Sequence, residues 1–480
     1  MRRPQSTLLI SLFFLLSGPF THAQILKKLK ENMKDLQDLT KQVGETSKEV
    51  ANTSKGFKST WQKDTSGNIK YEQIPDYRSR QEVSISKKQK LTVENGEFTN
   101  LSWEPVTNFH AQVFPSFIIA WASYRGEKDV DMGSSLGFKI KSNVSGVVLK
   151  WEIESADKSY FKIDSGYITC KGSGETLNFM PKVAWDFRQL AKHQTSAPMD
   201  IYFRLIDPVT GARVEKLVTA TLRSINDCMT LYDNQSYNFM FAAYVNEEHP
   251  LIDKILKDAL DTKMISSVMG YQGFNRGHAL SSAERVDAMN SVDLQVAAIW
   301  RVLHDRGFKY SSITDNSAAR QDNYIFSQTV RTFDNAMNTS QANCVDGTVL
   351  MASILKRMGL RPVLVLVPSH CFLGYYLDAD SDDETGLTFL ETTMLSSSGM
   401  IEHPKDAILK NKQLIDEYTP VGAKLSDINK CYYAQFLLAK FKGIENYKLN
   451  RQLVSENKGL IELVDVQQYR KMIAPIPIYN

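Results

Sequence analysis

The sequence predicts an α+β protein in which a β-sandwich precedes a mixed domain of helices and strands. Three observations carry that expectation. Short β-rich runs alternate with turn residues over about 96–228, the pattern of packed antiparallel sheets. Over 229–480 apolar residues recur at helical spacing, interrupted by a cluster of strands. The chain has 480 residues, beyond the size at which one core usually keeps growing, so two domains and an extra segment are expected.

The N-terminus reads MRRPQSTLLISLFFLLSGPFTHAQ. Arg2 and Arg3, an apolar run over 8–16 and the small-residue site at Thr21-His22-Ala23 form the order of a secretory signal peptide over 1–23, cleaved near Ala23. The expected location is exported, periplasmic or extracellular. No later stretch holds some eighteen uninterrupted apolar residues, so no transmembrane segment is expected in the mature chain. Residues 24–62 carry Leu26, Leu29, Met33, Leu36, Val43 and Val50 at spacings of an amphipathic helix. Thr40 and Ser47 interrupt the seam, which favours a helix packed on its own protein, or a stalk that contacts a partner, over a lasting coiled coil. Residues 63–95 are rich in Gly, Pro, Asp and Ser without periodicity and read as a linker.

In the sandwich region, over 96–228, the runs FIIAWASY (117–124), VVLKWEIE (147–154), YITC (167–170), IYFRLID (201–207) and LVTATL (217–222) are the expected strands. Gly146, Gly172-Ser173-Gly174 and Asp207-Pro208 punctuate them, and the spacing is Ig-like in the loose sense. Helical periodicity begins with HPLIDKILKDAL (249–260), and a second helix spans about 292–306 before Gly307 stops it.

The stretch 341–394 carries the chemistry. Met351, Ile354, Leu355 and Met358 share a helical face, and Gly359 with Pro362 ends the helix. VLVLV (363–367), CFLGYYLD (371–378) and LTFLET (387–392) are three strands, with an acidic hairpin loop over 378–386. Cys344 therefore opens a helix, where unpaired N–H groups and the helix dipole favour an anion. His370 begins the middle strand and Glu391 ends the next. Neighbouring strands lie about 4.8 Å apart, which lets a carboxylate orient an imidazole. A nucleophile, a base and an orienting acid follow in chain order.

These motifs, N-C-V-D-G-T-V-L, S-H-C-F-L-G-Y-Y and L-E-T-T, resemble the transglutaminase-like branch of papain-type cysteine enzymes. In that superfamily a helix begins with Cys, a strand carries His and the following strand carries Asp, commonly before Pro-Thr. IWRVLHDRGFKY (299–310) is similar to the family's lead-in, so the resemblance covers about 290–400. It implies a transglutaminase-like α+β domain over 229–480 with a C-terminal extension, and catalytic roles for Cys344, His370 and Glu391. Glu391 stands where Asp is usual and Thr392 where Pro is usual; the longer Glu orients the His only if its backbone sits back. Family position also makes Tyr310 the first candidate for an oxyanion donor, with the Cys344 N–H as the second donor; Gln341 is the runner-up to Tyr310. A core aromatic at a strand end is the competing role for Tyr310. Asn343 and Asp346 suit a helix N-cap and a first-turn dipole partner.

Net charge is +3, and no Lys/Arg block lies among aromatics in the body of the chain, so nucleic acid is not an implied partner. Five cysteines leave one over after any pairing, and a Cys170–Cys228 disulfide is open on spacing alone. Cys371 beside His370 does not form a metal pair, because adjacent strand residues face opposite ways. The run Asp378, Asp380, Asp382, Asp383, Glu384 lacks the Gly and the final acid of a calcium loop and reads as a solvated hairpin tip. No metal or cofactor is therefore expected. The implied function is an exported thiol enzyme acting on amide bonds of a protein or peptide through a thioester, with hydrolysis preferred over amine transfer. The alternative is a non-catalytic envelope or binding protein using the same fold as a scaffold.

Overall fold

Asn95 and Gly96, with φ of 52° and 81°, turn the chain between β1 (Val93–Glu94) and β2 (Glu97–Phe98). Asn-Gly favours such hairpins because both residues accept left-handed backbone at low cost. The structure, a computed structural model, describes residues 91–122, 135–172, 174–310, 324–381, 384–396 and 399–477. The expected signal peptide over 1–23, the amphipathic segment over 24–62 and most of the linker over 63–95 lie outside the described residues. Where the end of that linker was expected, this hairpin already begins.

Alternating burial in some strands and near-continuous burial in others build the sheets that follow. The strands are β3 (Leu101–Thr107), β4 (Gln112–Val113), β5 (Leu136–Ser142), β6 (Val147–Ser155), β7 (Asp164–Cys170), β8 (Thr176–Phe179), β9 (Ala197–Ile206) and β10 (Arg213–Leu222). They pair as two sheets, β3-β5-β8 and β4-β10-β9-β6-β7. Only the β4–β10 pairing among them is parallel. Phe138 and Phe179 of the smaller sheet meet Trp151 and Phe203 of the larger one, so the two sheets share an aromatic filling.

One expected strand is a helix. Pro115–Trp121 is α-helical with Pro at its first turn and every residue buried, where 117–124 was expected to be extended. Pro is tolerated at that position because its missing N–H would have had no partner. Burial on all sides erases the periodicity that separates helix from strand. Each large apolar side chain buried contributes about 1.5–3 kcal/mol, more than the roughly 1 kcal/mol span of β-propensity.

Beyond this lie β11 (Asp227–Tyr232), β12 (Gln235–Ser236), the helices Pro250–Asp261 and Ser282–Asp305, β13 (Lys309–Tyr310), β14 (Ile325–Thr329) and β15 (Gln341–Ala342). The second helix starts ten residues before the expected 292, at a capping box in which Ser281 and Glu284 satisfy each other's backbone N–H. Then come helix Cys344–Arg357, β16 (Pro362–Val367), β17 (His370–Tyr376), β18 (Leu387–Leu390), the long helix Asp427–Ser455 and β19 (Glu462–Asp465). Gly359, at φ +83°, ends the first of these as expected. The sheet order is β18-β17-β16-β19, antiparallel throughout. The protein is thus a mixed α+β fold with several sheets.

Helix Cys344–Arg357 is buried from Val345 to Leu355 and joins Leu364, Leu373 and Tyr375 in the main core. The opposite sheet face, with Val363, Val365, Phe372 and Phe389, is covered by Ile444 and Tyr447 of the long helix. Tyr375 donates to Asp293 at 2.6 Å and Lys440 pairs with the same carboxylate. That buried network ties the long helix to Ser282–Asp305 and to β17. The acidic loop is anchored too. Asp378 is 1 % exposed and pairs with Arg285, and Glu384 accepts from Arg451 at 2.7 Å, so these two acids of the expected solvated tip are held by cations while Asp380 is exposed; Asp382 and Asp383 lie outside the described residues. Among the described residues no helix is long and apolar enough to cross a membrane.

Candidate active site

Cys344 is the first residue of its helix. Asn343 caps the helix, accepting the Asp346 N–H at 2.8 Å, while Asp346 accepts the Asn343 N–H at 3.1 Å. Asp346, 1 % exposed, also accepts the Arg331 N–H at 2.8 Å and its guanidinium at 2.5 Å. Three donors on one buried carboxylate hold the helix start against the segment after β14. Thr348 donates to the Cys344 carbonyl at 2.7 Å, which leaves the thiol at the helix mouth, partly exposed.

His370 opens β17 after the turn Pro368-Ser369, with Ser369 at φ +62° and Val367 paired to His370. Its Nε2 lies 2.8 Å from Glu391 Oε2. Cys344 acts with Glu391 to raise the proton affinity of the same ring, and with Nε2 engaged, Nδ1 is the nitrogen left for a thiol. Burial alone would lower the imidazole's proton affinity, but the hydrogen bonds and charges of Cys344 and Glu391 outweigh it and push His370 up to about 10 from 6.5. Burial works against ionised Glu391 as well, and His370 with Thr393 overcomes it, holding the carboxyl below its ordinary value. Both shifts favour the imidazolium–carboxylate pair.

Glu391 follows the last residue of β18 and is 4 % exposed. Thr393 donates to Oε1 through its N–H at 3.2 Å and its hydroxyl at 2.7 Å. Asn446 of the long helix donates to Oε2 at 2.8 Å. The Glu391 N–H leaves the sheet and donates to the Ala439 carbonyl of that helix at 3.0 Å. A Cβ on Gly443 would lie 2.7 Å from Leu390 N, so only glycine lets helix and strand end touch there. Helix and strand backbones thus meet directly at the acid.

Tyr310 pairs in parallel with Ala342, two residues before Cys344. Its hydroxyl is pushed up by burial and then by the charges at Cys344 and Glu391, and the residue is 40 % exposed. A core aromatic would be covered; Tyr310 instead lies beside the site. Gln341 is exposed in register with Lys309, and among the described residues its side chain makes no hydrogen bond to the site. Cys371 is buried, with its thiol pushed well up by burial and then by the Cys344 charge.

No family model matches the chain, and no curated protein or solved structure matches it either. The geometry therefore stands by itself. All five cysteines fall among the described residues and all are free, so the Cys170–Cys228 pairing left open by spacing is not made. Cys344 is the one thiol of the five that is not buried. Sequence reasoning missed Arg331, Thr393 and Asn446. Thr393 sat inside the acid motif, two residues from Glu391, where a Ser/Thr hydroxyl commonly bonds a near neighbour. Asn446 is 55 residues from its partner, and no local pattern marks it.

Proposed function

We propose that this chain is a transglutaminase-like thiol enzyme that acts on amide bonds of proteins or peptides. The observation that carries the proposal is the anchoring of His370, whose Nε2 is held 2.8 Å from a buried carboxylate, while Cys344, the one thiol of the five that is not buried, opens the helix packed on that strand. In the reaction the Cys344 sulfur attacks the amide carbon and the carbonyl oxygen becomes an oxyanion. The Cys344 N–H, one of the unpaired donors of a helix start, and the Tyr310 hydroxyl are the donors offered to it. The C–N bond then breaks, and His370 gives its proton to the departing amine. Water adds to the thioester as His370 takes its proton, the C–S bond breaks to release the carboxylic acid, and His370 returns the proton to the Cys344 sulfur. Hydrolysis is preferred because Tyr310 and Cys344 lie at a surface open to water. The two facing sheets are read as an Ig-like sandwich, and the segment over 1–23 as the signal that exports the chain.

The experiment is alkylation by iodoacetamide at pH 6 with peptide mapping, beside hydrolysis of fluorescently labelled casein by the native chain and by Cys344→Ala. Selective alkylation of Cys344, and loss of hydrolysis in the variant, are expected. Absence of a preferred thiol would favour the scaffold alternative. Full hydrolysis by Cys344→Ala would end the proposal.

A further inference from the structure

We infer that Asn446 is a fourth member of this site, a positioning residue that holds Glu391 in the orientation His370 needs. The inference rests on the thiol-enzyme reading above and extends it to a helix outside the 290–400 region that resembles the family.

A glutamate has more rotatable bonds than an aspartate, so it aims an imidazole well only if its carboxylate is held from several sides. Three fixed donors besides His370 do this. Thr393 supplies two to Oε1. Asn446 supplies the third to Oε2, the oxygen that also meets His370, with both contacts at 2.8 Å. Losing Asn446 therefore affects the oxygen that does the orienting, whereas Thr393 steadies only the other.

Placement of the amide follows from one helix face. Ala439, Gly443 and Asn446 stand at i, i+4 and i+7, which bring them onto one side of a helix. Ala439 accepts the Glu391 N–H, Gly443 gives the room for that approach, and Asn446 reaches the carboxylate. Backbone and side chain of the acid are thus set from one helix face within seven residues. The chemistry of the side chain also matters. An amide donates without carrying charge, so it holds Glu391 without competing with the imidazolium for the carboxylate's charge. Lysine there would draw the negative charge to itself, and a carboxylate there would repel it.

The test is the pH profile of Cys344 alkylation by iodoacetamide, from pH 5 to 10, in the full chain and in Asn446→Ala and Asn446→Asp, with melting temperatures alongside. Asn446→Ala should slow alkylation at pH 6 about tenfold, the effect of losing one hydrogen bond to a charged group. Asn446→Asp keeps the size but sets two carboxylates together, so its profile should gain a step where the pair shares a proton. A residue that only supports the fold would not produce that step, and this variant decides if Asn446→Ala fails to fold. A native profile in both variants would overturn the inference and leave the Cys344, His370, Glu391 reading intact. No selective Cys344 alkylation in the native chain would overturn both.

Discussion

Shortening the acid should harm the site even though aspartate is the commoner residue in enzymes with motifs like these. In Glu391→Asp the carboxylate retreats by one methylene, about 1.3–1.5 Å along the chain. The His370 contact at 2.8 Å would open to roughly 4 Å, beyond hydrogen-bond range. The Asn446 contact starts from the same 2.8 Å and opens with it. The backbone cannot advance to compensate. Its N–H is held by the Ala439 carbonyl, and the strand end already sits where even a methyl group on Gly443 would come within 2.7 Å. A hydrogen bond to a charged group contributes about 1.5–3 kcal/mol, so the loss of His370 orientation should slow thiol alkylation at pH 6 by about 10- to 100-fold. Stopped-flow or quenched alkylation with mass-spectrometric readout at Cys344 measures this directly, and casein hydrolysis should fall in parallel. Equal or faster alkylation in Glu391→Asp would refute the idea that a set-back backbone selects the longer acid.

The same contact gives a stability prediction. Gly443→Ala would normally stabilise a helix by about 1 kcal/mol, but its Cβ would press on backbone atoms of Phe389 and Leu390 at 2.7 Å. A net loss of roughly 1–2 kcal/mol in denaturant unfolding is expected from overpacking, and a more stable variant would contradict it. Asp346→Ala removes the acceptor for Asn343, the Arg331 N–H and the Arg331 guanidinium. It should cost about 3 kcal/mol, since breaking a buried pair strands its partner; a loss under about 1 kcal/mol would argue against that role. For pH dependence, His370 binds its proton more tightly when folded, about 10 against 6.5. Its contribution is whole below pH 6.5 and is lost as pH rises towards 10. Glu391 is held below 4.5, so its contribution is present above that pH and is lost as pH falls through its lowered value. The stability gap between the native chain and His370→Gln should be widest near about pH 5–6.5 and shrink towards pH 10; a gap widening above pH 8 would contradict the pairing.

Local chemistry made the helix at 344–357 and the strands around His370 legible, because period, glycine stop and β-branched runs all act within a few residues. The cap formed by Asn343 and Asp346 was legible for the same reason. Ser281 and Glu284 carry the same kind of local signal for the longer helix Ser282–Asp305, ten residues ahead of the start that apolar spacing marks. The helix Pro115–Trp121 was hidden by burial on every side, which leaves no polar face to count. Asp378 looked like part of a solvated acidic loop because its partner, Arg285, is 93 residues away. Asn446 and Gly443 were beyond reach for the same reason. Their meaning depends on which strand the long helix crosses, and only the assembled fold fixes that.

The order of these parts along the chain has a consequence for how the molecule is made. Cys344, His370 and Glu391 all leave the ribosome before Ala439, Gly443 and Asn446, and β19 completes the sheet edge later still. A nascent chain therefore carries Cys344, His370 and Glu391 for dozens of residues without the helix that holds Glu391. Until that helix emerges, Glu391 lacks both the backbone acceptor and the amide donor that hold it.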